Sequence, residues 1–148
     1  MMTITYAKDL SKEAPRSPRR RIRDYVVLAR AVDKGRAELN GTSGSYHFAC
    51  PLDQMLFSFK GVSDADFKAQ LQAGMDDEEI AIWVDQNGIS KTPAEVKAWS
   101  DMVEAYRPYD DPEKRDWFIG ECKPLGLDPA KSTLFDYLEA DDHASFAR

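Results

Sequence analysis

The sequence predicts an all-α protein, a compact bundle of about six helices with one irregular loop segment at about 41–51. Three observations point there. Helix-start signals recur along the chain, the apolar residues between them return at spacings of three and four, and no run alternates apolar with polar residues as a half-buried strand does. The expected organisation is an N-terminal arm at 1–14 and a single helical domain at 15–148. A chain of 148 residues that is 43% apolar and 11% aromatic can bury a core without staples.

The elements follow in order. Pro15 and Pro18 bracket Arg16 and Ser17 and force an extended or turn segment. Ser17 then reads as an N-cap with Pro18 at the first helical position, opening a long helix to about Leu39. Its stripe is Ile22, Tyr25, Val26, Leu28, Ala29, Val32 and Leu39, and Asn40-Gly41 stops it. Gly41, Ser43, Gly44 and Ser45 mark a turn, and Pro51 sets up a short helix that Gly61 ends, with Cys50 at its N-cap. Ser63 with Asp66, and Asp76 with Glu79, read as capping boxes. Val62/Phe67 and Met75/Ile80 are their hydrophobic staples. Thr92-Pro93-Ala94-Glu95 starts a helix whose stripe is Val96, Trp99, Val103 and Tyr106. Asp111-Pro112 opens the next, and Asp128-Pro129 the final turn-and-helix with Leu134, Phe135, Tyr137 and Leu138. Trp83, Trp99 and Trp117 all have apolar neighbours at helical spacing and are expected to be largely buried.

Charge is divided unevenly. Residues 1–36 hold ten Lys/Arg and four Asp/Glu, a net +6, and residues 37–148 hold ten and twenty-two, a net −12. The plainer reading is self-complementarity, with the basic head lying on the acidic body or on a neighbour's. The sharper one is a nucleic-acid arm. Its centre would be Arg16, Arg19, Arg20, Arg21 and Arg23, where guanidinium groups at a helix start would suit an anion. Nucleic acid is not the expected partner, because the chain carries −6 overall and the run lacks the common nucleic-acid motifs. No apolar run approaches the length of a membrane span, and the start has no signal-peptide h-region. With only two cysteines, a reducing cytoplasm is the expected setting.

Chemistry concentrates in Tyr46-His47-Phe48-Ala49-Cys50-Pro51-Leu52-Asp53-Gln54. A cysteine before a helix-starting proline can meet free backbone N–H groups, and His47 could turn back to pair with it, which is the layout of an activated thiol. His47, Cys50, Asp53 and Gln54 are therefore the candidate catalytic residues. The plainer reading makes Cys50 a small buried hydrophobe and His47 a hydrogen-bonded loop residue. His47, Cys50, Cys122 and His143 could in principle hold zinc, but only His47-x-x-Cys50 has ligand-like spacing, so no metal and no cofactor are expected. Asp76-Asp77-Glu78-Glu79 reads as a capped helix start.

Two stretches carry a resemblance. One runs from Asp9-Leu10 through Pro15-Arg16-Ser17-Pro18 to Asp33-Lys34. The other is Gly44-Ser45-Tyr46-His47 with Cys50-Pro51-Leu52-Asp53-Gln54. Together they resemble a bacterial family known only as a domain of unknown function, with further matches at Asp77-Glu78-Glu79-Ile80, Thr92-Pro93 and Phe135-Asp136. The resemblance covers nearly the whole chain and implies no activity, cofactor or site residue. It also speaks against zinc, since the family does not typically carry a cysteine at the position of Cys122. The function expected is a binding or regulatory module without catalysis, with an unknown protein partner or a second copy of itself. The alternatives are a small thiol-dependent enzyme or redox protein using Cys50 and His47, and an anion or nucleic-acid binder using the arginine-rich head.

Overall fold

The computed structural model describes residues 7–147. Residues 1–6 of the expected arm, and Arg148, lie outside them. Among the described residues there are seven α-helices: α1 Leu28–Asn40, α2 Pro51–Lys60, α3 Asp64–Gln72, α4 Asp77–Gln86, α5 Pro93–Glu104, α6 Arg115–Cys122 and α7 Leu134–Phe146. Short 3-10 turns at Pro108–Asp110 and Lys123–Leu125 flank α6. Among the described residues there is no strand, only an isolated antiparallel bridge between Ile22 and Tyr25. The described helices number seven against the expected six or so, one for each of the seven starts that the sequence marks.

The local start signals act as their chemistry requires. Asp76 and Thr92 each accept from the N–H three residues on, while Glu79 and Glu95 reach back to the cap N–H. Ser63 accepts from the Asp66 N–H without the reciprocal bond. Thr133 and Asp136 form a further capping box that starts α7.

The expected start of the first helix fails. The first helix begins at Leu28, ten residues after Pro18. Arg23 and Val27 both have positive φ, 51° and 72°, which a helix excludes. For a buried valine this conformation is strained, by about 1–3 kcal/mol. It is held by bonds from the Val27 N–H to Pro18 O and from the Val26 N–H to the buried Ser100 hydroxyl. Tertiary charge explains the override. Arg19 pairs with Asp136 and Glu139 on α7, Arg21 with Asp101 and Glu104 on α5, and Arg23 with Glu78 and Asp85 on α4. A strap crossing three helices can deliver those side chains to three destinations. Ser17 caps no helix: its hydroxyl accepts from the Arg19 N–H and donates to Glu139.

α1 is buried over Leu28–Ala37, on all sides. Phe57, Phe67, Leu71, Ile80, Val84 and Phe135 belong to the core that surrounds it. Gly35 leaves room for Leu71 and Phe48, whose side chains an added Cβ would strike. The buried stretch nevertheless contains Arg30, Asp33, Lys34 and Arg36, and each is paired. Arg30 makes a bidentate contact with Asp142 at 2.7 and 3.1 Å. Asp33 receives the Arg16 guanidinium and its backbone N–H, Lys34 meets Asp53 at 3.0 Å, and Arg36 meets Asp77 at 3.1 Å.

The tryptophans need correction. Trp83 and Trp99 are half-buried, the latter stacked on Phe59, and Trp117 is 47% exposed. α6 is only eight residues long, and its buried face is Phe118 and Cys122. Trp117, one residue from Phe118, points about 100° away from it.

Phe67 is fully buried and its ring meets those of Phe57, Phe48 and Trp83 at 4.9, 6.0 and 6.3 Å. Phe67→Ala should cost about 3–5 kcal/mol in denaturant unfolding, and a loss below about 1 kcal/mol would remove Phe67 from the core. The strap should make the protein sensitive to acid. Burial works to raise the carboxyls of Asp77, Asp136 and Glu139. It is outweighed by Arg16 and Arg36 at Asp77, by the Thr133 cap and Arg19 at Asp136, and by Arg19 and Ser17 at Glu139. All three sit below their ordinary values, so their stabilisation is full above about pH 5 and fades as pH falls through the folded values. With solvent screening it amounts to about 0.5 kcal/mol each. Between pH 6 and pH 3 the melting temperature should therefore fall further in the native protein than in Arg19→Met, and equal falls would show the pairs to be energetically silent.

Candidate functional site

The segment between α1 and α2 is shaped by local necessity. Gly44, at φ 58°, lets the arm pass, since an added Cβ would lie 2.5 Å from Leu10 O. Leu10 is buried there and its N–H bonds to Thr42 O. Ala49 has φ 62°, held by its N–H donating to the Asp53 carboxylate at 3.0 Å. Cys50 occupies the N-cap position of α2, but its side chain accepts no bond from the helix N–H groups.

This segment forms one side of a cleft of about 960 Å³. Arg30 and Lys34, one helical turn apart on α1, contribute its buried floor, each 4% exposed. Leu52 and Met55 of α2 face Leu134 and Leu138 of α7, and Tyr106, Pro108 and Trp117 extend the apolar wall. Glu113, Lys114 and Asp141 bring charge into the lining, and Ser45 and Ser145 bring hydroxyls.

The candidate residues of the Tyr46–Gln54 segment part company here. His47 is exposed and lines the cleft with Cys50. The polar partner of the Cys50 sulfur is the Lys34 ammonium at 3.1 Å, and the described hydrogen bonds include none between His47 and Cys50. Asp53 is fully buried beside Lys34, outside the cleft lining. Burial pushes its carboxyl up from the ordinary value, against the pull of Lys34 and the Ala49 N–H, and its Oδ1 has no partner. Gln54 bonds to Asp64 and to Ala49 O, bracing the α2–α3 connection. Tyr46 lines the cleft, donates its hydroxyl to Asp142 at 2.8 Å and has its ring under the Arg30 guanidinium. Burial and the Asp142 bond push its phenol up.

The arginine head is dispersed over the acidic body. Arg16 bridges Asp33 and Asp77, and Arg19, Arg21 and Arg23 take the partners named above. Arg20 is exposed, with no ion pair among the described residues. Cys122 is buried on α6, and no cluster of three or more possible metal ligands occurs among the described residues.

Sequence reasoning missed Arg30, Lys34, Asp142 and Trp117. The sequence gives no signal for the first two: in Ala29 to Ala37, ARAVDKGRA, the charges at 30, 33, 34 and 36 fall within about 160° of one another round a helix and read as an ordinary solvated face.

Fold and cleft together define an all-α domain wrapped round a buried, charge-bearing central helix. Residues 12–144 match the family described as Domain of unknown function (DUF5069), and the chain belongs to that family. No curated protein matches the sequence. No described helix is long and apolar enough to cross a membrane.

The two thiols should separate cleanly. Cys122 is fully buried, and burial, with Asp128 and Glu121, raises its thiol. In native protein a chromogenic disulfide reagent should titrate one thiol per chain, lost in Cys50→Ser and kept in Cys122→Ser. Protection of both thiols until denaturant is added would close the cleft at Cys50.

Proposed function

We propose that this protein is a binding module, without catalysis of its own, whose cleft between α2, α6 and α7 takes up a small and largely apolar molecule. The observation that carries the reading is the cleft: about 960 Å³, walled by leucine, methionine and aromatic side chains, with two cations nine-tenths buried in its floor. Small-molecule sites typically have this character, a mostly apolar cavity with a few convergent polar groups. Arg30 is held by Asp142 and Tyr46, and Lys34 by Asp53, so these groups need little ordering when a ligand arrives. A reducing cytoplasm suits the free thiols at Cys50 and Cys122.

A second reading rests on one contact. The Lys34 ammonium lies 3.1 Å from the Cys50 sulfur at the cleft wall, an arrangement of cation and thiol that nucleophilic cysteines use. In this reading Lys34 takes the role expected of His47.

Nile red, a neutral apolar dye, tests the cleft. It should bind one equivalent with blue-shifted emission, and Leu138→Trp, which fills the cavity from α7, should weaken it by about tenfold or more, as the loss of one good apolar contact does. Equal binding to a folded Leu138→Trp protein would remove the cleft as the site. Cys50→Ser should bind the dye as the native protein does.

A further inference from the structure

We infer that the molecule taken up by the cleft is a carboxylate with an apolar tail, its carboxylate seated on the free edge of Arg30 and beside Lys34. The inference rests on the cleft being a ligand site and adds the chemical class of the ligand.

The argument begins with donors. A guanidinium has five N–H groups. Arg30 uses three: Nη1 donates to Asp142 and to Arg16 O, and Nη2 donates to Asp142. The Asp142 carboxylate thus occupies the end formed by the two Nη atoms. The side edge, Nε–H with the outer Nη2–H, has no acceptor among the described residues. That edge is itself a two-pronged fork of the spacing that receives a carboxylate. It is also open. The sealed, unpartnered side-chain polar atoms of the described residues are Asp53 Oδ1 and Arg107 Nε, and Arg30 Nε is not among them. The cleft is the open space that Arg30 lines.

Two further groups point the same way. Lys34, one turn along the same face, donates to Asp53 and Cys50 and keeps a third N–H. α2 begins at the cleft with no side chain capping it, so its first-turn N–H groups add partial positive charge beside Cys50 and Leu52, offset in part by Asp53 in the same turn. The carboxylates that neutralise Arg30 and Lys34, Asp142 and Asp53, are not part of the cleft lining. A ligand entering therefore meets the cations and not their partners.

The rim decides between anions. Glu113 and Asp141 outnumber Lys114 in the lining and repel a dianion such as a phosphate monoester more strongly than a single negative charge, which matches one fork and one spare ammonium N–H. Leu52, Met55, Leu134 and Leu138 then cover an aliphatic or aryl tail.

Displacement of Nile red by four eight-carbon probes tests the assignment: octanoate, octanol, octylamine and octyl phosphate. Octanoate should displace the dye at a concentration at least about tenfold below that of octanol, the ratio one charge-assisted bond supplies. Octylamine and octyl phosphate should both be weaker than octanoate. Arg30→Lys keeps a cation for Asp142 but lacks the fork, and it should abolish the advantage of octanoate over octanol, both measured on the same variant. Lys34→Met combined with Asp53→Asn removes the second cation without stranding a buried carboxylate, and it should reduce the advantage in the same sense. If the dye binds but octanol equals octanoate, or octyl phosphate or octylamine is preferred, the carboxylate assignment falls and the cleft stands as a site. If the dye does not bind at all, both fall.

Discussion

The constraint on which the rest of this structure depends is the need to neutralise four charges inside α1. A helix buried on all sides would ordinarily be apolar throughout. This one carries Arg30, Asp33, Lys34 and Arg36 into the interior, and a buried charge left unpaired is prohibitive. Each of the four therefore demands a partner, and each finds it on a different segment: α7 through Asp142, the strap through Arg16, α2 through Asp53 and the start of α4 through Asp77. Well-packed apolar residues could give similar stability at these positions, because desolvation offsets most of the Coulomb gain. What the ion pairs add is address. Each segment can satisfy its partner in one place only.

The same economy shapes the cleft. The bond between Arg30 and Asp142 fastens α7 to the central helix and also turns the guanidinium so that its unused edge is left over. Lys34 ties down α2 through Asp53, and Asp53 in turn holds Ala49 in its left-handed conformation, which brings Cys50 to the wall. The floor of the candidate site is thus made of the groups that position its sides. On the opposite flank the strap is fixed by a second, more exposed set of pairs. Individually these are weak, but together they hold a ten-residue path that no regular hydrogen bonding supports.

Much of the fold was legible because its signals are local. Asp76 with Glu79 and Thr92 with Glu95 carry both halves of a capping box within four residues, so α4 and α5 begin where the sequence places them. The division between a basic head and an acidic body was legible too, as chemistry that could be satisfied within the chain. The start of α1 was not. Ser17-Pro18 is a sound helix start by local rules, yet Arg19, Arg21 and Arg23 are drawn to three different helices, and a helix from Pro18 could not have served all three. Trp117 misled for a related reason: apolar spacing marks a helix face but does not say whether another element covers it.

Of the site, the sequence alone determined the irregular segment from Gly41 to Cys50, the thiol at the start of α2 and the imidazole near it, since glycine, proline and capping chemistry act over a few residues. It did not determine which charged groups would meet them. Lys34 lies sixteen residues before Cys50 and Asp142 lies 112 residues after Arg30. Only the tertiary structure decided that Lys34 would replace His47 as the neighbour of the sulfur, that Asp53 would turn away from the cleft, and that Arg30 would keep one edge free. The physical reason is that an ion pair has no sequence spacing. Its members are chosen by the path of the chain in three dimensions, which here is dictated by the charges that α1 carries into the core.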